Sequence, residues 1–296
     1  MNAAVTGCTA DFTTGTVALL KGLARHHPDV ARYCFAIPEQ VTAVQTALGS
    51  LAIVQPIPRL LNNAPKDAKI RVSWSRVFIP TIPADTVAWF DSDVIVCGDA
   101  AAWWQVPPGK VNVVPDAAYR IRHMIPHGLE NWYFQRFKLD PDAPGFNAGV
   151  FALRPADWPD LAERFESLLA EHDSTRQPFA FDQGLLNGLF QAHANWLPRE
   201  YNAHCLAECG VPRDVRVIHY TGSPKPWAPG FDHATDAYEQ WLLHGESVTD
   251  PATLAKVKWQ RRLSQPRRLL HRGMRKLLHV LGRRPDMGVG RKPESP

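Results

Sequence analysis

From residue 3 to about residue 250, short apolar runs alternate with stretches in which apolar residues recur every three or four positions. The short runs at 3–7 (AAVTG), 33–38 (YCFAIP), 110–115 (KVNVVP), 149–155 (GVFALRP) and 215–220 (VRVIHY) predict strands. Helical periodicity predicts helices at 16–27, 41–49, 72–80 and 182–190. A further helix at 157–173 places Leu161, Phe165, Leu168 and Leu169 on one face. Strands alternating with helices predict an α/β domain around a mainly parallel sheet.

The run TVAWFDSDVIV (86–96) is apolar on both faces except for two carboxylates, as expected of a central strand ending at a functional edge. Asp91 and Asp93 beside a hydrophobic core are costly unless a cation or hydrogen bonds compensate them. A magnesium or manganese ion suits carboxylate oxygens, and can bridge two phosphates and neutralise a diphosphate leaving group. A surface turn or helix cap is the plainer reading of an isolated D-x-D.

Later stretches offer matching chemistry. In VIHYTGSPKPW (217–227) a strand delivers His219, whose neutral imidazole can complete a metal shell. Gly222 lets backbone amides approach an anion, and Lys225 supplies a mobile positive charge for phosphate. In GFNAGVFALRP (145–155) small residues surround Asn147 before a strand, allowing close approach of a hydroxyl-rich ligand. Asp182 and Gln183 open a helix and can hydrogen-bond sugar hydroxyls. Each stretch also has an ordinary structural reading: a buried histidine, a tight turn, a helix N-terminus.

Composition narrows the setting. With 296 residues, 45% of them hydrophobic, the chain can bury a full core, and no run of about 18 apolar residues suggests a spanning helix. Five scattered cysteines (Cys8, Cys34, Cys97, Cys205, Cys209) predict reduced thiols rather than a disulfide framework or a zinc site. The start lacks the organisation of a secretory signal, so a cytoplasmic address is expected. Residues 256–296 hold 13 of the 33 Lys and Arg but two of the 29 acids, which leaves 20 bases against 27 acids before them. The expected organisation is a catalytic domain over 1–250 and a basic amphipathic tail over 251–296. Leu270, Met274, Leu277, Leu278 and Leu281 recur at helical spacing in the tail, which predicts attachment to an anionic membrane surface through residues 256–296. A charged helix packed on the body is the alternative. Nucleic acid is not an expected partner, because the body has no recognisable reading module.

The order FDSD, FNAG, DQGLLN and HYTGSPKPW resembles the signature series of glycosyltransferase family 8, the family of glycogenin and of bacterial lipopolysaccharide galactosyl- and glucosyltransferases. The resemblance covers most of residues 3–227. It implies a GT-A fold, Rossmann-like, with a nucleotide-sugar donor (usually UDP-linked), a manganese ion, a glycan or glycolipid acceptor, and retention of anomeric configuration. It makes Asp91, Asp93 and His219 metal ligands, with Ser92 between the acids and Gly222 and Lys225 beside the diphosphate. Arg76 resembles the family's basic donor contact, while Thr6, Cys8, Thr9 and Phe12 look like the nucleotide-base and ribose region, Phe12 as a stacking aromatic. That turn departs from the commoner Asn- and Asp-rich one. Asn147 and its neighbour Ala148, with Asp116, Asp182 and Gln183, look like donor-sugar and reaction-centre residues.

Two rival readings remain at this level. A haloacid-dehalogenase-type phosphatase also places D-x-D after an apolar strand, but its motif continues with Thr or Val where this chain has Ile95, and it leaves HYTGSPKPW without a role. A non-catalytic nucleotide-sugar or glycan-binding protein would keep the same polar residues without turnover.

Overall fold

A computed structural model describes residues 1–62, 66–125, 128–171, 181–204, 211, 214–231 and 236–246, with 252, 255, 256 and 259 as isolated positions. The first strand, β1 (Asn2–Gly7), leads into helix α1 (Thr13–His26), followed by β2 (Ala31–Ala36), α2 (Val41–Leu48) and β3 (Ile53–Pro56). Next come α3 (Ala68–Trp74), a 3-10 segment (Ser75–Thr81), and β4 (Thr86–Phe90) and β5 (Val94–Val96) on either side of the acidic turn. After β6 (Val111–Val113) the chain makes an excursion through β7 (Pro115–Arg120), α4 (Glu130–Phe137) and β8 (Pro144–Phe146). It returns as β9 (Val150–Leu153), α5 (Leu161–Ala170), α6 (Phe181–Phe190), β10 (Ala194–Trp196), β11 (Ala203–His204), β12 (Val217–His219) and α7 (Asp236–Gln240).

The main sheet has the order β10-β6-β9-β4-β1-β2-β3, parallel throughout except for β9, which runs antiparallel to both β4 and β6. Strand alternation divides its core into two layers. Ala3, Val5, Val87, Trp89, Phe151 and Leu153 face α3, α5 and α6, whereas Ala4, Ala88, Phe90, Val150 and Ala152 face α1 and α2. The predicted apolar face of α5 is buried, with Leu161, Phe165 and Leu169 at 0% exposure. Truncating Phe165 to Ala would cost about 3–5 kcal/mol.

The structure departs from expectation at 86–96, which is two strands rather than one. β4 lies in the main sheet, while β5 leaves it to pair antiparallel with β12 in a three-stranded sheet β11-β12-β5. The break falls at the carboxylates, where Val94 N–H closes a turn onto Asp91 O at 3.1 Å and the Tyr220 N–H donates to Asp93 O at 2.9 Å. The segment predicted as helix over 72–80 begins earlier, at Ala68, and tightens into 3-10 geometry after Trp74. The Asp67 carboxylate caps it, accepting from Lys69 N and Ile70 N. The excursion has its own apolar cluster of Ile121, Ile125 and Tyr133, packed with Leu129, Trp132, Phe134 and Phe137. No helix among the described residues is long and apolar enough to cross a membrane. Cys205, Cys209 and the predicted helix of the basic tail lie outside the described residues.

Candidate active site

The open ends of β1, β4 and β12 surround a cleft of about 520 Å³. Its lining brings together Asp91, Ser92, Asp93, His219, Gly222 and Lys225 with Arg76, Asn147, Asp182 and Gln183, and reaches Thr9 and Phe12 at its far end. Thus six separate stretches of sequence, the four motifs among them, meet in one place. Thr6, Cys8, Asp116 and Ala148 lie outside this lining. Thr6 and Cys8 occupy even positions along β1 and its extension, and Cys8 belongs to the layer packed on α1 and α2. Ala148 contributes its backbone just behind the wall, its carbonyl accepting from Arg76 Nη1 at 2.6 Å. Asp116 accepts from Tyr119 N–H at 3.1 Å and lies 3.9 Å from His204 Nδ1.

At the floor, one ligand atom each from Asp91, Asp93 and His219 lie within 4.8 Å of one another. Asp93 Oδ1 is 3.1 Å from His219 Nε2 yet makes no hydrogen bond, and His219 Nδ1 is likewise buried without a partner. A buried carboxylate oxygen left in this state is costly unless something positive occupies the space before it. Gly149 shapes that space, because a methyl group there would stand 2.2 Å from His219 Cε1 and 2.6 Å from Asp91 Oδ2. Two carboxylates and an imidazole over a gap that only glycine leaves open fit a hard divalent cation such as Mn2+ or Mg2+.

The two acids are held differently. Asp91 Oδ1 accepts from Trp89 Nε1 at 2.7 Å and from Arg76 Nη2 at 3.2 Å, while Asp93 Oδ2 pairs with Lys225 Nζ. Burial pushes the Asp91 carboxyl above its usual range, and Arg76 only partly offsets this. Burial also acts upward on Asp93, but His219 and Lys225 outweigh it and hold that carboxyl well below the usual range. Behind His219, the His204 ring stands edge-on at 5.7 Å between centroids, and burial first, then His219, pulls its pKa down to about 3.

Arg76, only 4% exposed, ties the floor to the side wall. Besides Asp91 and the Ala148 carbonyl, it donates to Ser73 O at 2.6 Å and approaches Asp182 Oδ2 at 3.6 Å. On that wall the Gln183 carbonyl accepts from Asn147 Nδ2 at 3.2 Å and Ala148 N–H at 3.4 Å. The fully buried Asn187 locks the pair of elements together: its amide accepts from Phe146 N–H at 2.9 Å and donates to Phe146 O at 2.9 Å and Gln183 O at 2.8 Å. Sequence reasoning assigned Asn187 no role, although an asparagine four residues after Gln183 on an apolar helix face demands buried partners. Trp89 and Ser73 were also passed over, hidden in an apolar run and a helix.

Comparison with known proteins identifies the fold and the family. The galactosyltransferase LgtC, solved with donor and acceptor sugar analogues, superposes with a TM-score of 0.62 at 17% identity, over 84% of this chain and 96% of that one. GlyE of Streptococcus pneumoniae TIGR4 superposes with a TM-score of 0.58 at 17% identity, over 88% of this chain and 64% of that one. These likenesses identify the fold as GT-A. In sequence, lipopolysaccharide 1,2-glucosyltransferase of Escherichia coli is 31% identical over 107 residues, 31% of this chain and 32% of that protein, so the match spans about a third of the curated relative. Because the family model of glycosyl transferase family 8 matches residues 5–229, which include all four motifs and every wall of the cleft, the chain belongs to that family.

Proposed function

We propose that the protein is a retaining glycosyltransferase that moves a hexose from a nucleotide-diphosphate sugar, UDP-glucose or UDP-galactose, to a hydroxyl of a glycan or glycolipid. The observation that carries this reading is the convergence of Asp91, Asp93 and His219 at the floor of a cleft, with Lys225 beside Asp93 and with Asp182 and Gln183 on the wall. Asp91, Asp93 and His219 would hold Mn2+, which when bound supplies charge neutralisation for a departing diphosphate. Lys225 binds the diphosphate with its ammonium. Asp182 orients the donor-sugar hydroxyls, and Gln183, steadied by Asn147 and Ala148, faces the reaction centre. The amide of Gln183 is a poor nucleophile, so a same-face displacement fits better than a double one. In it the anomeric carbon–oxygen bond to diphosphate breaks, the acceptor oxygen bonds the same face, and its proton passes to a diphosphate oxygen. The basic residues of 256–296 would hold the enzyme against anionic lipid at the cytoplasmic face, with residues 1–250 catalytic.

The test is a screen of nucleotide sugars for release of nucleoside diphosphate, with Mn2+ or with chelator. Metal-dependent turnover of one donor supports the reading and names the sugar; donor binding without hydrolysis or transfer across a broad acceptor panel supports a binding protein instead. Deleting 256–296 is expected to weaken binding to anionic liposomes while sparing donor hydrolysis, and unchanged liposome binding would remove the membrane role.

A further inference from the structure

The two acids of the turn already have cations of the chain's own. Arg76 serves Asp91, and Lys225 serves Asp93. The Arg76 and Lys225 side chains are only 5% and 14% exposed, so solvent screens these pairs weakly. Asp182 also leans on Arg76, at 3.6 Å, so three carboxylates face two cations and the floor is short of balance by a single positive charge. A divalent ion entering alone would therefore overshoot neutrality in a largely desolvated place.

The two cations are not equally free to leave. Arg76 is fixed by Ser73, by the Ala148 carbonyl and by its stacking 5.5 Å above the Trp89 ring. Lys225 sits on a long unbranched stem in the loop after β12 and shares its ammonium between Asp93 and the Tyr220 carbonyl at 2.8 Å. Gly222, three residues earlier, has φ +87 and open space around it, so the loop beside the ammonium leaves room for an anion.

We infer that Lys225 is an internal counter-ion that makes divalent-metal binding depend on diphosphate: while it pairs with Asp93 it opposes a bare cation, and a diphosphate that draws the ammonium away hands Asp93 to the metal. This rests on the reading of the cleft as a metal and nucleotide-diphosphate site. By linkage the effect is reciprocal, so metal must tighten diphosphate by the same factor that diphosphate tightens metal.

The experiment is calorimetric titration of Mn2+ into the full chain with and without UDP, and of UDP with and without Mn2+, for the unaltered protein, Lys225→Met and Lys225→Arg, with thermal melts to confirm folding. In the unaltered protein UDP is expected to tighten Mn2+ roughly 5- to 150-fold, the ordinary range of such coupling. Lys225→Met is expected to bind Mn2+ alone about tenfold more tightly, and to lose about tenfold of the coupling, the rest being direct attraction between metal and diphosphate, whereas Lys225→Arg keeps both near their original values. Lys225→Met that leaves Mn2+ affinity and coupling unchanged overturns the counter-ion role alone. Failure of the unaltered, folded protein to bind Mn2+ with UDP or any other nucleoside diphosphate overturns the site reading and the inference with it. If Lys225→Met melts early, Lys225→Gln carries the same comparison.

Discussion

The two ends of the cleft are built to different standards. At the carboxylate end, Asp91, Asp93 and Arg76 are each fixed by buried partners, His219 packs edge-on to His204, and Gly149 leaves a gap that a single methyl group would close. At the far end, Phe12 meets Trp227 edge-on at 5.9 Å and has Lys69 over its ring at 5.0 Å. There the linking ion pair, Lys69 with Asp11 at 2.8 Å, is more than half exposed on both sides. Exposed pairs of this kind contribute little and open readily. The carboxylate end is thus preorganised, whereas the Phe12 end, which the family resemblance assigns to the nucleobase, is adaptable.

The contrast can be broken at its strongest point by Arg76→Met. This change leaves Asp91 and Asp182 without their shared cation, and is expected to cost about 3–5 kcal/mol of unfolding free energy in urea titrations; a loss below about 1 kcal/mol would mean the floor is not held as described. Asp93→Asn tests chemistry rather than folding. It should lower donor turnover about 10²- to 10³-fold in the nucleoside-diphosphate release assay at a temperature where melts show the variant still folded, although it melts earlier because Lys225 loses its partner.

A smaller effect comes from His204. Its folded pKa is pulled below its unfolded value, so its contribution is complete above about pH 6.5 and is lost as pH falls toward about 3, because only the unfolded chain then takes up the proton. Between pH 7 and pH 5 this amounts to about 2 kcal/mol. His204→Phe should therefore show a flatter decline than the unaltered protein in urea titrations at those two values, and parallel declines would contradict it. Smallest of all, Lys69→Ala is expected to change stability by less than about 1 kcal/mol, with only a few-fold change in donor KM. A loss as large as that of Arg76→Met would erase the distinction between the two ends.

How much of this was legible in the sequence depended on whether a residue's chemistry broke the local pattern. Two acids inside an apolar run, and a histidine ending a strand, stand out against their surroundings. The order of the four motifs then pointed to the fold, and the structure brings Asp91, Asp93 and His219 from two of them together at one end of the cleft. The strand break at Ser92 was not legible, because Val, Trp and Phe before it and Val and Ile after it carry the same preference for sheet. Only pairing with β12 assigns the second half to another sheet. The loop after β1 was half legible: Thr9 and Phe12 line the cleft, but period-two alternation turns Cys8 into the layer below α1 and α2. Asn187 was missed because its role consists of backbone contacts with a segment about 40 positions away.

The excursion over 115–146 meets helix α6 along Gly184 and Gly188, where a methyl group would strike Met124 O at 2.7 Å and the Phe137 ring at 2.6 Å, and where the Tyr133 hydroxyl donates to Gly184 O at 2.7 Å. Those two glycines form a socket and the aromatic cluster of the excursion is its plug. The fit is one of shape, so a side chain added at either glycine would push the excursion off the helix that carries Asp182 and Gln183, and the wall of the cleft would move with it.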